Sequence, residues 1–385
     1  MPGRTIPRSL RVLILDTYYP AVLDRHYERN PRLSRAPYDE QLAALMDLQF
    51  GTTNAYSEGL RRMGVEAADV VVNCAPLQAR WDLEHGRHGA VRRGVGAVAT
   101  RMPRRISGRG DAGTIHAQIE AFDPDVLYLQ ALEAVSGEEL QQQRRAGRLI
   151  VGQIASAIPE QEVVARFDLV LTSFPHFVER IRSQGVDAEY FRIGFDDRVL
   201  ERLRARGIDP AEMERAHPVC FVGGVNPAVH GRGTAFLERL AELVDLSVWG
   251  YGADRLSHDS PLRSSHRGEA WGIEMYEILA RSRIAVNRHI EAAEGYSNNM
   301  RLYEATGVGA MLCTEASPNL AELFVPGREV ISYSSLDDLA EKITYYLAHD
   351  AERIEIAAAG QRRTLRDHTY VQRMAELAGI LETRL

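Results

Sequence analysis

Two polar clusters in the second half of the chain carry side chains suited to binding phosphate and ribose. In the first, Arg301 and Glu304 stand three residues apart in a helix-like stretch, so they share one helical face. A carboxylate there can accept hydrogen bonds from both ribose hydroxyls, and a guanidinium can bind a diphosphate through a pair of hydrogen bonds. The same spacing also fits an ordinary Arg–Glu ion pair on a helix surface.

The second cluster is a glycine-rich turn between a strand and a helix. Gly223 and Gly224 follow the strand, and His230 and Arg232 precede a helix that we expect to begin near Thr234. Glycine lets a ligand approach the backbone closely, and the N-terminus of a helix offers free N–H groups to phosphate. The alternative is a common βα turn without a ligand.

The elements that must position these residues alternate between strands and helices, which is typical of parallel sheets built from βαβ units. We predict strands at residues 11–16, 70–74, 126–130, 149–154, 169–172, 189–193, 219–222, 246–249, 284–287, 310–314 and 329–332. Helical patterns fall at residues 38–50, 54–63, 234–243, 273–280, 300–306, 336–347 and 370–385. Ligands of such sheets bind beyond the carboxyl ends of the strands, where both clusters lie.

This rhythm predicts two Rossmann-like domains that face each other across a cleft. We place the first at residues 1–196, a charged linker at 197–216 and the second at 217–385, with a terminal helix that can pack back on the first domain. A cleft of this kind suits a reaction between two substrates that must be shielded from water.

The composition excludes several classes of protein. Lys342 is the only lysine among 46 basic residues and lies far from any glycine-rich turn, which excludes a P-loop ATPase and a pyridoxal enzyme. The net charge of −7 argues against a nucleic-acid partner. Cys74, Cys220 and Cys313 sit in apolar runs, as expected of buried thiols in a reducing compartment. Because there is no signal peptide and no long apolar run, we expect a cytoplasmic protein without a transmembrane segment.

The segment from Arg87 to Arg109 contains seven arginines and no acidic residue. It fits a solvated connection, and it also fits a surface for an anionic acceptor or a membrane.

The last hundred or so residues resemble the catalytic domain of group-1 glycosyltransferases of the GT-B fold, and more narrowly the spore-maturation CgeB-like branch. The stretches that match are Arg281–Asn287, Arg301–Ala305, Gly309–Thr314, Pro326–Glu329, Leu336–Leu347, Ala357–Gly360 and His368–Tyr370. In the first half, two stretches resemble the family's acceptor-side features. They are the loop Gly51, Thr52, Thr53 and Asn54, and the pair Phe195 and Asp196 that follows Gly194.

The resemblance implies an α/β GT-B enzyme that transfers a sugar from a nucleotide diphosphate sugar, its co-substrate, to an unknown acceptor. That acceptor is a polysaccharide, a glycoprotein or a small molecule. No further cofactor is implied. Glu304 matches the family's ribose-binding glutamate, and Arg301 accompanies it. The implied donor-binding residues are Gly223, Gly224, His230, Arg232, Asn287, Glu294, Asn299, Arg301 and Glu304.

The chain departs from the family pattern at two positions. Tyr296 stands where the family has a first glutamate, and Glu294 is the nearest acid; Gly224 stands where an arginine is common, which leaves Arg232 as its substitute. Phosphate recognition then rests on arginine, backbone N–H groups and His230, because no lysine is at hand.

An inverting enzyme of this kind needs a general base, whereas a retaining one can rely on the donor phosphate. The candidates are Asp16, His26, His176 and His289, each of which also fits an ordinary polar loop residue. We find no metal-binding motif, as expected for metal-independent GT-B enzymes. The alternatives are a nucleotide-sugar epimerase of related fold, a non-catalytic two-lobed sugar-binding protein and an inactive GT-B scaffold.

Overall fold

The computed structural model describes residues 10–87 and 111–385, which form two compact α/β units. Unit 1 contains the described residues up to Phe191 together with Met374–Leu385, and unit 2 is Arg192–Arg373. Most of the predicted Arg87–Arg109 segment lies outside the described residues. Arg87 itself donates from Nε to the Asp82 carboxylate at 3.1 Å.

Unit 1 is built on a six-stranded parallel sheet in the order β2-β1-β3-β4-β5-β6. Its strands are β1 (Arg11–Asp16), β2 (Glu66–Val71), β3 (Val126–Leu129), β4 (Leu149–Ile154), β5 (Leu169–Thr172) and β6 (Asp187–Tyr190). Its helices are α1 (Pro20–Arg29), α2 (Tyr38–Met46), α3 (Ala55–Arg62), α4 (Ala75–Glu84), α5 (Ala112–Phe122), α6 (Gly137–Arg145), α7 (Gln161–Val164) and α8 (Pro175–Ser183). The described part also contains a 3-10 turn at Leu33–Arg35.

Unit 2 is built on a five-stranded parallel sheet in the order β11-β10-β9-β7-β8. Its strands are β7 (His217–Val222), β8 (Leu246–Trp249), β9 (Ser282–Asn287), β10 (Met311–Glu315) and β11 (Ile331–Tyr333). Its helices are α9 (Arg198–Ala205), α10 (Pro227–Leu243), α11 (Leu262–Ser265), α12 (Ile273–Ala280), α13 (Met300–Gly307), α14 (Leu320–Leu323), α15 (Leu336–Ala348) and α16 (Asp350–Asp367). The last helix, α17 (Tyr370–Glu382), begins in this unit, and its residues from Met374 onward belong to unit 1.

Neighbouring residues on the strands of unit 2 pack into two different hydrophobic cores. Cys220 on β7 and Leu312 on β10 face one core, whereas Val219 and Met311, their neighbours in sequence, face the other. Side chains alternate between the two faces of a strand, so a sheet covered by helices on both faces must be apolar at every position. This is why the sequence shows continuous apolar runs here.

A close contact between two helices of unit 2 fixes the position of α13. The Thr306 hydroxyl on α13 lies 2.6 Å from the Thr364 hydroxyl on α16. A Cβ atom on Gly360 of α16 would lie 2.4 Å from the backbone oxygen of Glu329 and 3.4 Å from the Thr306 methyl group. The absent side chain of Gly360 therefore allows α16 to approach the Glu329 backbone, and the Thr306–Thr364 hydroxyl contact joins α16 to α13.

Four of the predicted strands, β1, β4, β5 and β8, have the bounds that the structure shows. β2 begins four residues before its predicted start, and β6, β7 and β9 each begin two residues early. Each of these strands starts with a polar residue, namely Glu66, Asp187, His217 or Ser282, so no apolar run marks its beginning.

The division into units differs from the predicted boundaries at 196 and 217. Val199, Leu200 and Leu203 of α9 lie in a core of unit 2, so the segment expected to be a linker packs as part of that unit. The terminal residues belong to unit 1, where Arg384 forms ion pairs of 2.8 Å with both Asp187 and Glu189. The three cysteines are free and buried, as predicted.

The close approach of α16 to the Glu329 backbone can be tested at Gly360, with Gly379 as a control that has no such contact. We expect Gly360→Ala to destabilise the protein by about 1–3 kcal/mol, because the added methyl group overlaps the Glu329 carbonyl. Gly379→Ala in α17 meets nothing within 4 Å and is expected to stabilise by about 0.5–1 kcal/mol. Urea unfolding of both variants measures the difference, and a Gly360→Ala variant as stable as the wild type would contradict the packing described here.

Candidate functional site

The glycine turn after β7 is held against the turn after β8. The backbone N–H groups of Gly223 and Val225 donate to the carbonyls of Trp249 and Tyr251, both at 2.9 Å. A Cβ atom on Gly250 would lie 1.7 Å from the Gly223 oxygen. The two turns can approach this closely only because a glycine stands at position 250.

Helix α10 begins earlier than predicted, at Pro227 instead of near Thr234. The Asn226 side chain caps it by accepting from the Ala228 N–H at 3.0 Å, and the helix is kinked at His230. His230 and Arg232 therefore lie in the first turns of a helix and not in a loop. This correction follows from the proline, whose fixed φ suits the first helical position.

Two aromatic side chains, which the sequence analysis did not single out, lie beside this turn. The His230 Nε2 atom is 3.1 Å from the Tyr251 hydroxyl, and the Tyr251 ring stacks on Trp271 with centroids 5.6 Å apart and an interplanar angle of 13°. Tyr251 follows β8 by two residues, so a search of every strand end would have found it. Trp271 has no such sequence signal.

The Arg301–Glu304 pair forms as predicted but is buried. The Arg301 Nη1 atom lies 2.8 Å from Glu304 Oε2, and Glu304 is only 5% exposed. The Tyr276 hydroxyl donates to the other carboxylate oxygen at 3.4 Å. Burial raises the pKa of Glu304, with Arg301 and the Tyr276 hydrogen bond acting in the opposite direction. The surface-pair alternative is therefore excluded.

The Arg301 side chain makes further contacts within the protein. Its Nη1 atom also lies 3.0 Å from the Met275 sulfur, and its buried Nε has no acceptor among the described residues. Through its contact with Oε2, Arg301 positions the Glu304 carboxylate.

The end of β9 and the start of α13 are joined by an amide pair. Asn287 donates to the Asn299 side chain at 3.2 Å and to the Thr314 hydroxyl at 3.0 Å, and Asn299 donates back at 2.8 Å. Asn287 is 2% exposed. These two predicted donor-binding residues thus hold the loop between them, and Asn299 is the more accessible of the two.

His289 also holds the loop between Asn287 and Asn299 through hydrogen bonds. Its Nε2 atom lies 2.9 Å from the Ser297 hydroxyl and 3.3 Å from the Thr314 hydroxyl, and its backbone N–H donates to Glu315 at 2.7 Å. Burial lowers the pKa of His289 to about 4, so the ring is neutral and a weak base at neutral pH. Among the catalytic candidates, it fits a positioning role best.

Arg288, and not the predicted Arg232, has a side chain held in place at the carboxyl edge of the sheet in unit 2. The Arg232 side chain is 86% exposed and only 3.6 Å from Glu291, and Glu294 is exposed as well. Arg288, by contrast, donates to Glu315 from Nε and Nη2 at 3.0 and 2.9 Å and lies over the Phe236 ring. Arg288 also donates to the Arg232 carbonyl at 3.2 Å.

Unit 1 contains a cavity of about 970 Å³ at the carboxyl edge of its sheet. It is lined by residues that follow or end β1 to β4: Thr17, Pro20, Asp24, Val72, Asn73, Gln130, Ala131, Leu132, Glu133, Ala134, Gln153, Ile154, Ala155, Ser156, Ala157 and Pro159. Thr52 of the predicted acceptor-side loop donates to Gln130 at 2.6 Å, which links that loop to the cavity.

The other predicted acceptor-side residues are distributed differently. Gly51 and Thr53 adopt positive φ angles of 63° and 46°, and Asn54 precedes α3. Phe195 belongs to unit 2, where it is fully buried in a core, and Asp196 there forms an ion pair of 2.6 Å with Arg198. Both side chains thus have partners within unit 2, and their acceptor-side role stays a prediction.

Among the catalytic candidates of unit 1, Asp16 is the best placed. It ends β1 beside Thr17, which lines the cavity, and accepts from the Thr17 N–H at 2.7 Å. Burial raises its pKa from 3.8 to about 6. His26 is 7% exposed on α1 and burial lowers its pKa, whereas His176 on α8 packs against Phe177; neither lines the cavity.

Residues 10–87 and 111–385 contain no group of three or more His, Cys, Asp or Glu side chains that could hold a metal ion. No helix within these described residues is long and apolar enough to cross a membrane.

Comparison with known proteins identifies the fold and one domain. Residues 232–379 match the family described as glycosyl transferase-like. No curated protein matches the chain by sequence. Similar solved structures include sucrose-phosphate synthase from Thermosynechococcus elongatus, with a TM-score of 0.60, 11% identity and coverage of 97% of this chain and 98% of that one.

Two further structures also align with nearly the whole of this chain. Anabaena HepE in complex with UDP has a TM-score of 0.55 at 12% identity, covering 97% of this chain and 100% of that one. AviGT4, a glycosyltransferase involved in avilamycin A biosynthesis, has a TM-score of 0.52 at 14% identity and 96% coverage of both chains. The predicted GT-B architecture of two Rossmann-like domains is confirmed. The predicted glycosyltransferase class is confirmed through the family match.

The raised pKa of Asp16 predicts a pH-dependent stability. The folded protein holds the Asp16 proton up to about pH 6, whereas the unfolded chain releases it near pH 3.8, so this residue's contribution is complete below pH 3.8 and is lost as the pH rises to 6. Asp16→Asn cannot lose a proton. We therefore expect the variant to gain up to ~3 kcal/mol relative to wild type between pH 4 and 7.

Urea unfolding of both proteins across that pH range measures this gain. The matched control is Asp47→Asn, at an exposed aspartate after α2, for which we expect a constant difference from wild type. A constant difference for Asp16→Asn as well would contradict the raised pKa.

Proposed function

We propose that this chain transfers a sugar from a nucleotide diphosphate sugar, with UDP sugars as the first donors to test, to a hydroxyl group of an acceptor. We further propose that it does so in the cytoplasm and without a metal ion. One observation carries the proposal. The glycosyl transferase-like match at residues 232–379 includes the Glu304 carboxylate, buried on α13 behind an ordered loop at the carboxyl edge of the sheet in unit 2.

Glu304 is suited to binding the ribose of the donor. Both of its oxygens keep acceptor capacity beyond the bonds from Arg301 and Tyr276, so a ribose can donate both hydroxyls to one carboxylate. Hydrogen bonds to a charged group contribute about 1.5–3 kcal/mol, and a buried site strengthens them. The stacked Tyr251 and Trp271 rings supply flat apolar surface for a nucleobase in the same unit.

The diphosphate has two kinds of donor in unit 2. The glycine turn lets the phosphates approach the backbone beside the N-terminus of α10, which favours anions. Arg288, held in place by Glu315, supplies a guanidinium. Lys342 lies elsewhere, donating to the Ser332 carbonyl at 2.8 Å and pairing with Asp338 at 2.7 Å. Phosphate recognition therefore uses arginine and N–H groups in place of lysine.

The transfer step forms a bond between the acceptor oxygen and the anomeric carbon of the donor sugar. The bond between that carbon and the diphosphate oxygen breaks, and the nucleoside diphosphate leaves with the electron pair. The acceptor hydroxyl gives its proton to a base, for which Asp16 is the candidate, or to the departing phosphate. With a pKa of about 6, Asp16 is ionised at neutral pH and remains basic enough to accept a proton.

Similar structures support a uridine donor. HepE is described in complex with UDP and also with UDP-glucose, each with 97% of this chain covered. The CgeB-like branch, the sugar and the acceptor stay predictions. An epimerase would convert the UDP sugar without an acceptor, and a two-lobed binding protein would bind free sugar without nucleotide. Analysis of products from donor alone separates the first, and calorimetry with free glucose separates the second.

The proposed contact between Glu304 and the ribose can be tested by nucleotide binding, measured in buffer containing EDTA. We expect UDP at 100 times its Kd to stabilise the protein by about 2.7 kcal/mol and to raise its Tm. 2′-Deoxy-UDP lacks one hydroxyl and should bind about tenfold or more weakly, because it loses a hydrogen bond to a charged group. Glu304→Gln should weaken UDP binding and bring the two nucleotides to within about twofold of each other.

The comparison between nucleotides is made within each variant, so a general loss of stability does not affect it. Glu355→Gln, at an exposed position of α16 in the same unit, is the matched control and should discriminate like wild type. If UDP leaves the Tm unchanged, the uridine donor is wrong, and if no other nucleoside diphosphate raises the Tm, the proposed function is wrong. If Glu304→Gln still discriminates, the ribose assignment is wrong.

A further inference from the structure

We propose that Tyr276 is a positioning residue of the donor site, and that its hydroxyl holds the Glu304 carboxylate in the orientation that accepts both ribose hydroxyls. The inference rests on the proposed function, because it concerns how this chain recognises the ribose of the donor. Tyr276 lies on α12, outside both of the polar clusters that the sequence analysis singled out.

Glu304 is contacted at both of its carboxylate oxygens, from two different helices. Arg301, on α13 itself, places Nη1 2.8 Å from Oε2. The Tyr276 hydroxyl, on α12, donates to Oε1 at 3.4 Å. A contact at one oxygen alone would leave the carboxylate free to turn, because the terminal torsion of a glutamate side chain is broad. Contacts at both oxygens fix the plane of the carboxylate.

The orientation of that plane decides whether one carboxylate can serve two hydroxyls. The ribose hydroxyls stand on neighbouring carbons of the ring, so each can donate to a different oxygen of Glu304 when the carboxylate faces them. Hydrogen bonds weaken steeply as their angle departs from linear. A rotated carboxylate would therefore lose one or both of these bonds, and Tyr276 affects binding through Glu304 without touching the donor.

The Tyr276 side chain is itself held in a core of unit 2. It is buried there, and its ring meets the Phe195 ring edge-on, with centroids 6.2 Å apart and an interplanar angle of 69°. Burial and the nearby Glu304 charge raise the pKa of Tyr276 well above its usual value, so the hydroxyl keeps its proton and remains a donor. The packing of the ring therefore fixes the place of the hydroxyl.

The residue before Tyr276 contacts the other member of the ion pair. The Met275 sulfur lies 3.0 Å from Arg301 Nη1, the same atom that meets Glu304 Oε2. Consecutive residues of α12 thus contact both Arg301 and Glu304. The position of α12 therefore determines where the pair lies and how the carboxylate is turned.

One arginine joins the C-terminal ends of α12 and α13. Arg215 donates from Nη1 to the Ala280 carbonyl at 2.6 Å, at the end of α12, and from Nη2 to the Val308 carbonyl at 3.4 Å, directly after α13. The last carbonyls of a helix lack partners within the helix, and a cation is favoured beside them. Arg215 thus holds the helix that carries Tyr276 against the helix that carries Glu304.

The competing interpretation is that Tyr276 serves only to offset the burial of the Glu304 charge. Loss of the hydroxyl would then lower the stability of the fold and weaken the binding of all nucleotides alike. A positioning role has a different consequence, because contacts to the phosphates and the base do not depend on how the carboxylate is turned. Loss of the hydroxyl would then weaken the nucleotides with both ribose hydroxyls more than their deoxy forms.

The test measures the Kd of UDP, 2′-deoxy-UDP and 3′-deoxy-UDP by calorimetry on the full chain. If a different nucleoside diphosphate raises the Tm, its own ribose and deoxyribose forms are used. We expect wild type to prefer UDP to each deoxy form by about tenfold or more. Tyr276→Phe keeps the ring and its packing. It should lower UDP affinity and reduce at least one of the two preferences by about threefold or more.

Tyr345→Phe is the matched control. Tyr345 lies on α15 of the same unit, and its hydroxyl also contacts a glutamate, at 3.1 Å from both carboxylate oxygens of Glu352. Because this contact lies on the exposed surface, the control should keep both preferences of wild type.

A double variant tests whether Tyr276 acts through Glu304. When Tyr276→Phe is added to Glu304→Gln, the carboxylate that Tyr276 holds is already gone, so UDP affinity should stay within about twofold of Glu304→Gln alone. A larger further loss would overturn the proposal. Two preferences that both stay within about threefold of wild type in Tyr276→Phe would overturn it as well.

The same series separates failure of this inference from failure of the proposed function. If no nucleoside diphosphate raises the Tm, the proposed function is wrong and the role of Tyr276 falls with it. If Glu304→Gln loses the preference for UDP but Tyr276→Phe keeps it, the donor and the ribose assignment stand and the role of Tyr276 is wrong.

Discussion

The burial of the Glu304 carboxylate on α13 is the interaction on which the rest of the site in unit 2 depends. A carboxylate out of water is costly, and here one guanidinium and one phenol offset that cost. The arrangement persists only if α13 is held in place. The Thr306–Thr364 hydroxyl contact joins α13 to α16, and the paired amides of Asn287 and Asn299 hold the loop before α13. The packing of apparently remote residues therefore sets the position of one functional carboxylate.

The ordered loop before α13 has a second consequence. Asn287 and His289 have side chains suited to binding a ligand, but their hydrogen bonds are made within the protein and hold the loop before α13. Burial lowers the pKa of His289 to about 4, so its ring is neutral near pH 7. A loop held in this way changes little on binding, which reduces the entropy that a ligand must overcome.

The sequence predicted the α/β class, the strands β1, β4, β5 and β8 and the Glu304 helix because each is marked by a local pattern. The start of α10 was placed too late because the kink at His230 interrupts the helical pattern, although Asn226 and Pro227 mark the true start. It selected Arg232, whereas the structure fixes Arg288, because only the fold brings Glu315 beside one of them.

Hydrogen–deuterium exchange with and without UDP tests the central claim most directly, because it reports where the nucleotide binds and needs no acceptor. The account predicts slower exchange of backbone amides in residues 223–232 and 287–304 of unit 2 when UDP is bound. Protection confined to other parts of the chain, or no protection at saturating UDP, would contradict it.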